Sequence, residues 1–171
     1  MTTSPSIPAD KFATGAAFLL GLVTILGALG SQYIGGLVPC ELCLEQRLAY
    51  YWGLPLLAVI LVLWNRLPLT VWYVAVAIAT AIFIWGAYMG AYHAGVEWGF
   101  WPGPTSCTGV GDGISFDALN NLNETRIVPC DEVQFRFLGV SLAGYNALIS
   151  AGIAVLLGFA MLTQWRSTRR A

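Results

Sequence analysis

Four long stretches of this chain carry no charged side chain: Phe12–Tyr33, Leu48–Trp64, Leu69–Tyr92 and Ser141–Trp165. A helix needs about 20 apolar residues to cross a hydrocarbon core of roughly 30 Å. All but the slightly short second stretch meet that length. In lipid the backbone must satisfy its own hydrogen bonds, so an isolated apolar segment is expected to be helical. The expected fold is therefore all-α: a bundle of four transmembrane helices forming a single integral membrane domain over residues 1–171. The connections would be Ile34–Arg47, Asn65–Pro68 and His93–Val140. Composition agrees, because only 10% of residues are charged, against about 25% in soluble domains. A net charge of −1 with no basic stripe excludes a nucleic-acid partner.

The first stretch is read as a span and not as a cleavable leader. Its apolar run exceeds the 7–15 residues of a signal core, and only Lys11 precedes it. Orientation follows from basic residues in short flanks. Lys11, Arg66, Arg166, Arg169 and Arg170 share one side, which would be cytoplasmic and hold both termini. Loops 34–47 and 93–140 then face outward, together with eight of the nine acidic residues, all but Asp10. Trp64, Trp72 and Trp165 fall at the inner ends of spans, and Trp52, Trp98 and Trp101 near the outer ends, where indoles favour the interface. In the long outer loop, Phe116, Leu119 and Leu122 recur at helical spacing behind Ser115 and Asp117, either of which could cap a short helix.

The four cysteines, Cys40, Cys43, Cys107 and Cys130, all land on the outer side, although none was used to orient the chain. Thiols placed there belong to an oxidising compartment. Cys40 and Cys43 form a Cys-x-x-Cys pair at the lip of the second span. A disulfide closing so small a loop gains little from chain entropy, so it is a poor staple and a reasonable redox centre. Cys107 and Cys130 are 22 residues apart, where a bridge would stabilise by about 3 kcal/mol. A structural role is thus a stronger reading for Cys107–Cys130 than for Cys40–Cys43. Zinc knuckles need two close pairs, and only one is present, so no metal is expected. Sequence leaves the connectivity open among three possibilities.

Arg47 follows Cys43 by four residues, so on a continuing helix the two share a face. A guanidinium and a helix N-terminus both favour a thiolate. Glu41 and Glu45 compete for that arginine, and an interfacial arginine also snorkels to lipid phosphates. His93, the chain's one histidine, closes the third span at the outer surface, where a structural role is the commoner one.

The order of these features is Pro39-Cys40-Glu41-Leu42-Cys43-Leu44-Glu45-Gln46-Arg47, His93 in Tyr92-His93-Ala94-Gly95-Val96-Glu97-Trp98, a Gly/Pro-rich approach to Cys107, then Pro129-Cys130 and Phe137-Leu138-Gly139. It resembles the disulfide bond formation protein B family, DsbB, over essentially the whole chain. The resemblance implies a bacterial inner-membrane enzyme that reoxidises a periplasmic thioredoxin-fold oxidase, DsbA, and passes the electrons to a membrane quinone, ubiquinone or menaquinone. It implies that Cys107 forms the mixed disulfide with that partner and that Cys130 resolves it. Electrons would then reach Cys40–Cys43, with Cys43 the thiolate facing the quinone. Arg47 would support thiolate and quinone, and His93 would lie near the quinone ring. The Gly109–Gly113 stretch has no residue-by-residue counterpart in the family pattern, so a sister branch serving a dedicated partner stays open. Two further alternatives are a membrane protein pinned by two structural disulfides and a quinone-linked enzyme of the vitamin K epoxide reductase class. That class carries its active pair near the end of its last span, whereas here the close pair opens the second.

Overall fold

A computed structural model of the chain describes residues 9–104 and 129–169. Four helices run α1 (Ala9–Tyr33), α2 (Glu41–Val62), α3 (Leu69–Glu97) and α4 (Leu142–Thr168). Two short strands, β1 (Arg136–Phe137) and β2 (Val140–Ser141), pair antiparallel just before α4. The expected loop helix near Phe116–Leu122 lies outside the described residues.

α1, α3 and α4 are long and apolar enough to cross a membrane. Only 22–28% of their most apolar windows is buried inside the protein. Val23, Leu26, Ile78, Ile84, Leu148 and Val155 all point outward. So much outward apolar surface is stable only against lipid, and the chain is a multi-pass membrane protein. α2 carries Glu41, Glu45 and Arg47 in its first two turns, ahead of an uncharged remainder.

Helix ends differ from the sequence expectation. α2 starts at Glu41 and not Leu48, and α3 runs on to Glu97, past Tyr92. Charged residues mark where the apolar slab ends, but a helix continues as long as its backbone is capped. Pro39 precedes Cys40, whose extended backbone and side chain cap α2 by accepting from the Cys43 N–H at 3.3 Å. α1 stops where Gly36 takes φ +69°, a conformation glycine adopts without a Cβ penalty. The β1–β2 turn places Leu138 (φ 50°) and Gly139 (φ 82°) in the left-handed region, the pattern of a type I′ hairpin. The Ser141 hydroxyl then caps α4 by accepting from the Gly144 N–H at 3.2 Å. Tyr145 donates to the Phe137 carbonyl at 3.0 Å and ties the hairpin to α4.

The helices pack in a ring, α3 along α2 and α4, and α1 along α4 and α2. Val76, Ala79 and Phe83 of α3 meet Leu57 and Ile60 of α2 and Ile153, Leu157 and Ala160 of α4 in one apolar core. Lipid tails are as apolar as leucine, so helices here associate through close packing and small residues. A Cβ on Gly90 would sit 2.7 Å from the Ala147 nitrogen and 2.9 Å from its Cα. Backbone of α4 therefore touches α3 at this point. Gly90→Val should lower the unfolding free energy in detergent by about 1 to 3 kcal/mol. Gly152→Val, where a Cβ meets nothing within 4 Å, should leave the thermal midpoint nearly unchanged. Equal losses in the two variants would contradict this packing.

Candidate functional site

The first turn of α2 organises the site. Cys40 is its N-cap and is 5% exposed, and its sulfur is joined to Cys43 in a disulfide. The cap directs that sulfur back over the unpaired N–H groups of the helix. Those groups and the helix dipole favour negative charge on sulfur whenever the disulfide opens. Cys40 and Leu42 form a small buried cluster with Val96 of α3 and with Cys130 from the segment ahead of β1, and Cys43 packs on its edge. Sequence separates Cys130 from Cys40 by the whole of α2 and α3, and the fold brings them together. Cys130 is itself disulfide-bonded and does not titrate as a thiol. Cys107 lies outside the described residues.

His93, 3% exposed, faces the same cluster from α3. Its Nε2 lies 3.7 Å from the Cys40 sulfur and 3.2 Å from the Cys130 carbonyl oxygen. Its Nδ1 is 2.6 Å from the side-chain nitrogen of Gln46. Asn146 of α4 donates to the Gln46 oxygen at 2.6 Å, and the Tyr50 hydroxyl donates to the Asn146 oxygen at 2.6 Å. Ser150 lies 3.1 Å from the same hydroxyl. Gln46, Tyr50, Asn146 and Ser150 were not singled out in the sequence. The available signal was polar side chains inside apolar spans, with Asn146 and Ser150 one helical turn apart on one face.

Arg47 reaches across to α1, where its guanidinium donates to the Gln32 side-chain oxygen and, at 3.4 Å, to the Ala28 carbonyl. α1 has no basic residue in its last turn, so Arg47 brings positive charge to that helix's C-terminal end. Its hydrogen bonds go to α1; Glu41 and Glu45 do not hold it. Among the described residues, the one acid–base contact within ion-pair distance is His93 Nε2 to Glu97 Oε1, at 3.9 Å, which is an ion pair only when the ring is protonated.

Beside the disulfide lies a cleft of about 510 Å³. Leu20, Val23, Ile25 and Ile149 form apolar walls, and Cys43, Arg47, His93 and Glu97 line its polar end. Val23 is 68% exposed, so this wall is continuous with the lipid-facing surface. The ligand atoms of Cys40, Cys43 and His93 also fall within 4.8 Å of one another. A thiophilic ion could use both sulfurs only with the disulfide open. The site thus combines a disulfide on a helix N-terminus, a second cysteine against it, and an apolar cleft reaching the partly buried sulfur of Cys43.

These features describe a helical membrane protein with a buried redox-capable disulfide. The family model for disulfide bond formation protein DsbB matches residues 10–160, and the chain belongs to that family. It is 31% identical over 101 residues to disulfide bond formation protein B of Pseudoalteromonas atlantica, covering 57% of this chain and 55% of that relative. It is 21% identical over 143 residues to the uncharacterized protein RP370 of Rickettsia prowazekii, covering 81% of this chain and 80% of that relative. No solved structure matches.

The Arg47 contacts generate a stability prediction. Arg47→Ala should cost about 1 to 3 kcal/mol by removing the charged hydrogen bonds between α2 and α1. Arg47→Lys should recover only part, because an ammonium cannot span two acceptors as a guanidinium fork does. Chemical unfolding in detergent measures both, and an unchanged Arg47→Ala midpoint would contradict the prediction.

Proposed function

We propose that this chain is a thiol oxidase that carries electrons from a periplasmic dithiol partner to a membrane quinone. In this reading α2 is a fourth span and the chain is a single domain of the bacterial inner membrane. Both termini are cytoplasmic, and the cysteine-bearing loops are periplasmic. The observation that carries the reading is the position of the Cys40–Cys43 disulfide. Cys40 is buried against Cys130, and both cysteines line an apolar cleft continuous with the lipid face. A disulfide closing so short a loop contributes little as a staple, so a redox role accounts better for its placement. DsbB family membership supports the same conclusion.

The cleft suits a quinone by its chemistry. Apolar walls match a ring and an isoprenoid tail, and Arg47 and His93 supply polar groups at one end. When bound, ubiquinone or menaquinone would supply an acceptor for two electrons and two protons. The chain's own residues handle the thiols. A thiolate of the partner, a DsbA-like thioredoxin-fold protein, would attack Cys107 of a Cys107–Cys130 disulfide and expel Cys130 as a thiolate, and the partner's second thiol would then displace Cys107 from the mixed disulfide. The partner's two thiols lose two electrons and two protons and close into a disulfide. Exchange then passes the electrons to Cys40–Cys43: each step forms one S–S bond and breaks another. The Cys130–Cys40 cluster supports such a transfer without a long excursion. Cys43, at the N-terminus of α2, would hold the thiolate facing the cleft. A sister-branch oxidase with a dedicated partner would use the same residues.

The test is the reduction of added quinone by a reduced thioredoxin-fold partner in the presence of the purified protein. Cys43→Ser should bring quinone reduction down to the uncatalysed background, while a mixed disulfide with the partner still accumulates through Cys107. Undiminished quinone reduction by that variant would refute the assignment.

A further inference from the structure

The hydrogen bonds from Tyr50 to His93 form a directed chain, and one backbone carbonyl sets its direction. Taken by itself the chain runs equally well either way. In one direction Tyr50 donates to Asn146, Asn146 to Gln46, and Gln46 to Nδ1 of His93. In the other both amides are turned over, and Nδ1 donates to Gln46. The two directions place the ring proton on opposite nitrogens. The Cys130 carbonyl, 3.2 Å from Nε2, breaks the tie. A carbonyl oxygen only accepts, so Nε2 must carry a hydrogen. A neutral ring then presents a lone pair at Nδ1, and Gln46 must face it with its NH₂ group. The reversed chain would set two lone pairs against each other at Nε2. Avoiding that needs a second ring proton, and hence a cation 3% exposed inside the bundle. Glu97, with Oε1 3.9 Å from Nε2, would be its only ion-pair partner among the described residues.

We infer that Gln46 and Asn146 are positioning residues that lock His93 as the neutral tautomer protonated on Nε2, with that one N–H shared between the Cys130 carbonyl at 3.2 Å and the Cys40 sulfur at 3.7 Å. Gln46 is 5% exposed and Tyr50 and Ser150 are buried, while Asn146 is partly exposed where it lines the cleft. A hydrogen-bond donor beside a sulfur favours its thiolate. His93 thereby stabilises negative charge on Cys40 when the disulfide opens, without being charged itself. The direction is referenced to Cys130, so the ring reports whether the second cysteine is docked against the first pair. The catalytic weight of this device rests on the thiol-oxidase reading; the tautomer does not.

His93 is the only histidine, so ¹⁵N-histidine labelling of the full protein in nanodiscs reports one ring. The expected spectrum of the oxidised protein at neutral pH shows Nε2 protonated and Nδ1 bare. In Gln46→Glu, a carboxylate that only accepts should draw a proton onto Nδ1. A resting ring protonated on Nδ1, or on both nitrogens, overturns the inference, as does a Gln46→Glu spectrum identical to wild type. Gln46→Leu should slow reoxidation of the reduced partner about tenfold, the scale of one charge-assisted hydrogen bond. An unchanged rate would remove its catalytic weight. The spectra need neither quinone nor partner, so a wild-type protein that fails to reduce quinone sinks the function and leaves the tautomer result standing.

Discussion

One contact fixes the geometry of everything around it: the Cys43 N–H pointing at the sulfur of Cys40. It starts α2 at Glu41, about two turns before the apolar stretch begins at Leu48. The start of α2 then places Cys43 over the cleft, Gln46 against His93 and Arg47 against α1. A helix beginning at Leu48 would leave all three on an irregular loop. Gln46 is held by His93 of α3 and Asn146 of α4, and Arg47 by α1, so the cap also sets how these helices meet at this end of the bundle.

Lipid as solvent explains the rest of the architecture. Outward surfaces can be apolar, and packing inside depends on close approach at residues such as Gly90 and on pairing most buried polar groups. Thr14 and Thr80 satisfy their hydroxyls on their own helices, donating to the carbonyls of Asp10 and Val76, each at 2.8 Å. Tyr50, Asn146 and Gln46 cannot, and they satisfy one another across helices. That shared chain ends at the one histidine beside the one close cysteine pair. A polar network of this kind specifies a unique arrangement only when all members are paired.

The long helices were legible because charge-free runs leave the backbone few choices. The cysteines and His93 were legible because their types carry chemistry. The start of α2 was not, because Glu41, Glu45 and Arg47 mark the edge of the apolar slab while the helix obeys its cap. The partners of Arg47 were hidden for a related reason. Glu41 and Glu45 are near in sequence, but Gln32 and Ala28 are near only once α1 and α2 pack. The meeting of Cys130 with Cys40 depends on two intervening helices and has no local signature. The Leu138–Gly139 hairpin turn was passed over because leucine is an uncommon occupant of the left-handed region.

The central claim is that the sulfur pair at the start of α2 exchanges electrons with an oxidant dissolved in the bilayer. The most direct measurement is to reduce the purified protein and remove the reductant without oxygen. Ubiquinone or menaquinone is then added, and the bond between Cys40 and Cys43 is followed by mass spectrometry of alkylated peptides. The account predicts that the bond re-forms with one quinone consumed per disulfide. Thiols at Cys40 and Cys43 that stay reduced in excess quinone would contradict it.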